Sequence, residues 1–220
     1  MTSGGTIAVL TGDIVDSSGL ERRAEQPVSA LITSTGQKVQ KHFQAEVHGQ
    51  IDVFRGDSWQ VAVKDPSRAL RIGLYFRSLL RSDFGIDSRV SIGFGDFDYL
   101  PAENISTGTG QAFTLSGQGL EACLKPIRMS LSFPAGSQDL GGGGLQIITQ
   151  LLDLQAGRWT AGQSQAMAGA LLTLTQAEIA ASWQPESISQ QAVSQHLENA
   201  GWTQIKAALV YLEETIPTAW

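Results

Sequence analysis

Thr6-Ile7-Ala8-Val9-Leu10-Thr11-Gly12-Asp13-Ile14 is the stretch that decides how this chain folds. Its apolar, β-branched residues over 6–11 describe a buried strand, which ends on a glycine and a carboxylate. A second carboxylate is presented in the same way by Val53-Phe54-Arg55-Gly56-Asp57. Residues 46–54 and 58–63 flank it as two strands, with Trp59, Val61 and Val63 alternating on one face, so Asp57 falls at a hairpin turn. Two strand ends, each with a glycine beside an aspartate, can hold a pair of carboxylates close together.

Working outward, residues 28–45 place Val28, Leu31, Ile32, Val39 and Phe43 at helical spacing. Asp65-Pro66 opens a second helix over 67–81, whose stripe is Ala69, Leu70, Ile72, Gly73, Phe76 and Leu80. Arg68, Arg71, Arg77 and Arg81 read as its solvated face. A strand over 89–95, a polar loop over 104–110, a short helix over 113–124 and a strand over 128–133 complete the series. The order is β-α-β-β-α-β followed by α-β, an open sheet with helices on at least one face, in the α+β class. Residues 134–144 then carry Pro134, Gly136 and four consecutive glycines, which lose too much backbone entropy to sit easily in a packed element. The expected division is a first domain over 1–138, a glycine-rich linker over 139–144 and an all-helical domain over 145–220.

The net charge of -6 is unevenly spread. After residue 144 the only cations are Arg158 and Lys206, against Asp153, Glu178, Glu186, Glu198, Glu213 and Glu214. Such an acidic segment is a poor surface for phosphate backbones. Cys123 is the only cysteine, so no intrachain disulfide forms, and it reads as a small buried hydrophobe. No apolar run approaches the roughly 20 residues that span a bilayer. The N-terminus has no basic region leading into an apolar one, and the expectation is a soluble, cytoplasmic protein without membrane partners. His42, His48 and His196 are scattered, which supports neither a zinc site nor a histidine relay.

Two hard carboxylates, with a main-chain carbonyl such as that of Ile14, suit Mg²⁺ or Mn²⁺, which keep waters and substrate phosphates in their remaining positions. Aspartate beside glycine is equally an ordinary turn former. Asp16, Ser17 and Ser18 follow the first strand, and their amides and hydroxyls suit an incoming phosphate or, alternatively, the N-cap of a helix.

Thr11-Gly12-Asp13-Ile14-Val15-Asp16-Ser17-Ser18-Gly19-Leu20 resembles the opening motif of the nucleotidyl cyclase catalytic domain, shared by adenylate and guanylate cyclases. Arg55-Gly56-Asp57-Ser58-Trp59-Gln60 resembles that family's Gly-Asp hairpin, and residues 89–95 and 110–118 resemble its next strand and helix. The likeness spans about residues 6–133. It implies a ferredoxin/palm-like domain in which Asp13, Ile14 and Asp57 hold metal and Asp16, Ser17 and Ser18 cover a nucleotide's phosphates. The SatD-like bacterial proteins are similar further along: they share Thr-Gly-Asp-Ile, a Gly-Asp-x-x-Gln hairpin, and a helical tail with a stretch like Trp159-Thr160-Ala161-Gly162-Gln163. Two departures bear on chemistry. Aligned from Gly110, Thr114 stands at the position of the cyclases' catalytic asparagine and Gln118 at that of the transition-state arginine, and a neutral amide cannot offset phosphate charge as a guanidinium does. The base-recognising lysine before Gly-Asp is also missing. The expectation is therefore a domain that binds a nucleoside triphosphate or cyclic nucleotide rather than an efficient cyclase of ATP or GTP, with no catalytic residue assigned.

In the tail, Thr175 and Glu178 are spaced as a capping box, a turn runs through 183–187, and Ser189 precedes a helix over 190–200. Ile179, Ala180, Ile188, Ala192, Val193 and Leu197 recur as they do in a helix-turn-helix. The segment resembles the DNA-reading unit of sigma-factor and response-regulator tails, which places Gln190, Gln191, Ser194 and Gln195 toward a groove. The shortage of cations weighs against DNA reading and leaves a protein-interaction module as the rival expectation. Further apolar stripes over 145–154 and 202–215 either close the core of one chain or join two copies into a homodimer. Both halves together describe a nucleotide sensor linked to a transcriptional regulator.

Overall fold

The computed structural model describes residues 5–21, 26–137 and 143–218. Most of the expected linker falls in 138–142 and lies outside the described residues. Five strands, β1 (Ile7–Ile14), β2 (Val47–Phe54), β3 (Ser58–Val63), β4 (Ser88–Gly95) and β5 (Met129–Ser132), form one sheet in the order β2-β3-β1-β4-β5. The central strand β1 is antiparallel to both β3 and β4, while β5 runs parallel to β4 at the edge. The protein is thus a mixed α+β fold with the glycine-aspartate ends of β1 and of the β2–β3 hairpin side by side.

Alternation along β1 sorts its side chains between two cores. Ala8 and Leu10 enter the larger one, with Val61, Phe76 and Ile92; Ile7 and Val9 enter a smaller one with Ala62, Ile105, Ala112 and Phe113. A short helix α1 (Ser17–Glu21) follows β1, and α2 (Val28–His42) and α3 (Ala69–Phe84) cover the larger core. Asp65 caps the turn that opens α3, its carboxylate accepting the Ser67 amide at 3.1 Å. Helix α4 (Gln111–Ala122) lies on the other face against β4, and Gly93 makes that approach possible. A Cβ at Gly93 would stand 2.3 Å from the Ser116 amide nitrogen.

The remaining helices are α5 (Gly144–Ala156), α6 (Ala161–Leu171), α7 (Gln176–Ala181), α8 (Gln190–Ala200) and α9 (Trp202–Thr215). Thr160 with Gln163, and Thr175 with Glu178, form complete capping boxes at α6 and α7. The Trp159-Thr160-x-x-Gln163 stretch thus has a local purpose: the threonine starts α6, and Trp159 Nε1 donates to the Ala200 carbonyl at 3.0 Å.

The arginines of α3 do not form a solvated face, contrary to the sequence expectation. Arg77 is 0% exposed and Arg71 is 7% exposed, because α6 packs along α3 and the tail's acids meet these cations. Arg71 Nε donates to Glu213 Oε1 at 2.5 Å and Arg77 Nη1 to Asp153 Oδ1 at 2.7 Å. A buried guanidinium needs such partners, since an unpaired charge is excluded from an apolar interior by several kcal/mol. The acidity of the tail is in part the complement of α3. Among the described residues, no helix is long and apolar enough to cross a membrane.

Candidate functional site

Asp13 stands directly opposite Arg89 across the antiparallel β1–β4 ladder. Arg89 Nε donates to Asp13 Oδ1 at 2.8 Å, its Nη2 donates to Asp13 Oδ2, and its Nη1 donates to the Cys123 carbonyl at 2.9 Å. The hydrogen bonds to Asp13 hold the Arg89 guanidinium above its ordinary pKa. Asp57 occupies the β2–β3 turn, reached through left-handed backbone at Arg55 (φ 54) and Gly56 (φ 86). Its carboxylate accepts the Ser17 hydroxyl at 2.5 Å and the Ser58 hydroxyl at 3.3 Å. Its main-chain oxygen accepts the Ile14 amide at 3.2 Å, which ties the hairpin tip to the end of β1.

The backbone beneath is fixed from both sides. Gly12 admits no side chain, since a Cβ there would lie 2.4 Å from the Arg89 carbonyl and 2.5 Å from the Trp59 ring. Trp59 Nε1 donates to Ser88 Oγ at 2.9 Å, and Ser88 Oγ donates to the Asp13 carbonyl at 2.7 Å. On the α4 face, Gln60 Nε2 donates to Thr11 Oγ1 at 2.7 Å, and Thr11 Oγ1 lies 2.8 Å from Ser116 Oγ. The glutamine of the Gly-Asp-x-x-Gln hairpin therefore joins β1, β3 and α4.

One cleft of about 630 Å³ is lined by Asp13, Ile14, Asp16, Ser17, Ser18 and Asp57. Arg89, Cys123, Lys125 and Arg128 line it as well. A second cleft of about 450 Å³ shares Asp13 and Arg89 with it. Asp16 has left-handed backbone (φ 57), and its carbonyl accepts the amides of Gly19 and Leu20, each at 3.0 Å. Burial raises the Cys123 thiol above its usual pKa, so it stays protonated at neutral pH.

The donor chemistry suits Mg²⁺ or Mn²⁺ only in company. Among the described residues, no group of three or more His, Cys, Asp or Glu side chains is gathered to hold a metal. Two carboxylates facing one cleft match a cation that takes its other ligands from water and phosphate. Both oxygens of Asp13 are already held by Arg89, so a cation there competes with a guanidinium.

Arg89, Lys125 and Arg128 received no role from the sequence. Arg89 was legible in principle: once β1 and β4 are paired antiparallel in register, its position opposite Asp13 follows. Arg128 and Lys125 come from the α4–β5 connection and carry no motif. Thr114 and Gln118 are exposed on α4 and line neither cleft. In the tail, Gln190, Gln191 and Gln195 are exposed on α8 and Ser194 is half-buried. α7 and α8 pack together, but residues 182–189 join them, longer than the roughly three to four residues of a helix-turn-helix turn.

No protein-family model matches the chain, and no curated protein matches it. Among solved structures, the adenylyl cyclase CyaB from P. aeruginosa is similar over 53% of this chain and 71% of that chain, at 19% identity and a TM-score of 0.36. A likeness that distant says nothing about the chemistry of this site.

Proposed function

We propose that residues 6–133 form a palm-type domain that binds a nucleoside triphosphate or cyclic nucleotide with Mg²⁺ or Mn²⁺, without cyclising it efficiently. One observation carries the reading: the cleft that contains Asp13, Asp16 and Asp57 also contains Arg89, Lys125 and Arg128. Carboxylates alone suit a cation, and cations alone suit an anion; both in one cleft suit a metal chelated by phosphates. Asp13 and Asp57, with Ile14, are the metal side of this proposal, and Asp16, Ser17 and Ser18 lie beside the phosphates. The metal's part would be to offset phosphate charge. Efficient cyclisation is disfavoured because Gln118, at the position that the resemblance gives to the transition-state arginine, is neutral. Calorimetry with ATP, GTP and their cyclic forms, with and without Mg²⁺, on the parent and on Asp57→Ala is the test. Metal-dependent heat lost in the variant is the expected result, and turnover to cyclic product would replace the sensor reading by an enzyme.

A second reading concerns the tail. The exposed amides of Gln190, Gln191 and Gln195 on one short helix favour a DNA-reading module that follows nucleotide state, in a single chain or a homodimer. Two cations, Arg158 and Lys206, are a meagre phosphate-binding set for it. Selection of bound genomic fragments at about 0.1 M salt, followed by Gln191→Ala and Gln195→Ala, distinguishes the alternatives. Sequence-selective binding weakened by both changes supports the regulator. No binding at low salt supports a protein-interaction module.

A further inference from the structure

Beneath the cleft, three guanidiniums share two carboxylates. Arg77 donates to Asp87 at 2.8 and 2.9 Å and to Asp153 at 2.7 Å; Arg81 donates to Asp87 at 3.2 Å, and Arg128 Nη1 to Asp87 Oδ2 at 2.5 Å. That balance leaves one positive charge in excess. Arg77 is fully buried and cannot present it, and Arg81 donates Nη2 to the Trp159 carbonyl at 2.6 Å. Arg128 is the member that lines the cleft, with 35% of its side chain exposed and one of its donors held by Asp87. Lys125, three residues earlier in the same connection, lines the cleft too and is exposed.

The connection is held in place by α5. Asp153 of α5 accepts the main-chain amides of Arg128 at 2.6 Å and Met129 at 3.1 Å through Oδ2, while its Oδ1 takes Arg77. One carboxylate from the tail therefore sets both the backbone of Arg128 and, through Arg77, the Asp87 that holds its guanidinium. Asp87 is in turn continuous with the site floor, because its carbonyl accepts the Val15 amide at 2.9 Å.

We infer that Arg128, with Lys125 beside it, binds the anionic oxygens of a polyphosphate in this cleft, and that Asp153 is its positioning residue. The inference rests on reading the cleft as a nucleotide site, and adds which residues recognise the phosphate chain and why the helical tail is needed for it. A polyphosphate benefits more than a monophosphate, since it reaches the basic lip while its other phosphates meet the cation that the carboxylates would hold.

The test is calorimetry on the full chain with inorganic tripolyphosphate, Mg²⁺–ATP and AMP. Losing a charge-assisted contact in Arg128→Gln should weaken tripolyphosphate and ATP by roughly tenfold and AMP far less. Lys125→Gln should weaken them in the same order, by less. Asp153→Asn should weaken both polyphosphates, speed hydrogen exchange at the Arg128 and Met129 amides, and cost nothing further when combined with Arg128→Gln. That non-additivity separates positioning from general destabilisation. If the parent binds Mg²⁺–ATP and Arg128→Gln binds it equally well, the inference is overturned while the nucleotide reading stands. If the parent binds tripolyphosphate through Arg128 but no nucleotide, the anion site stands and the nucleotide reading falls. A parent that binds neither overturns both.

Discussion

Both oxygens of Asp13 are held by Arg89, so any divalent cation that uses Asp13 competes with a guanidinium. Arg89→Gln removes the competitor, and Mn²⁺ affinity without nucleotide should rise by roughly fivefold, about 1 kcal/mol for a part-exposed charge; equilibrium dialysis checks it. Gly12 is constrained by contact rather than chemistry. Gly12→Ala drives a methyl to 2.4 Å from the Arg89 carbonyl and should cost roughly 1–3 kcal/mol in urea unfolding. Asp87 is the residue with a pH signature. Burial alone raises its pKa, but Arg77, Arg81 and Arg128 outweigh that and hold it below the usual carboxylate range. A lowered folded value means its stabilisation is complete above the unfolded value of about 3.9 and is lost as pH falls through the folded value. Asp87→Asn should therefore lose about 3 kcal/mol at pH 7, because Arg77 keeps only Asp153, and should decline less than the parent between pH 5 and pH 2. The placement of Asp13 and Asp57 at adjoining strand ends was legible in the sequence, because glycine-aspartate strand ends are local signals. Arg77 was misread as solvated because Asp153 lies far along the chain and Asp87 meets it only once the chain has turned back after α3.

Two helices of the tail came through with their bounds. Ser189 and Gly201 bracket α8, and the helices over 190–200 and 202–215 follow the sequence reading. Helix α6 was not legible as a separate helix. It is buried on several sides, with Ala166, Met167, Ala168, Ala170 and Leu171 covered and both α3 and α8 packed against it, so Ala161–Leu171 shows no apolar stripe against a polar one. Small residues allow its close neighbours: a Cβ at Gly169 would lie 2.5 Å from Ile179 Cγ1. What the sequence does mark is where α6 begins. Thr160→Ala breaks its capping box and should cost about 1 kcal/mol, read from the urea midpoint at constant slope. Thr160→Ser should restore most of it.

Across the whole molecule, one buried apolar cluster runs from Leu10 and Ile92 in the sheet through Phe76 and Leu80 of α3 to Met167, Leu197 and Leu209 in the tail. Ion pairs from Arg71 and Arg77 to Glu213 and Asp153 cross the same boundary. The two segments should therefore unfold together, with coincident transitions by tryptophan fluorescence and far-UV circular dichroism; two separated transitions would show independent domains. Composition could announce an acidic tail but not that its acids answer the arginines of α3, since that pairing exists only after docking. The same docking connects the tail to the Asp13–Asp57 cleft, where the functional reading is most exposed to test. The direct measurement is Mn²⁺ electron paramagnetic resonance with a non-hydrolysable ATP analogue, on the parent and on Asp13→Asn with Asp57→Asn. Bound Mn²⁺ that requires the analogue in the parent and disappears in the double variant is the expected result. Bound Mn²⁺ unchanged by those substitutions, or no nucleotide-dependent binding in the parent, would contradict a metal–nucleotide site in this cleft.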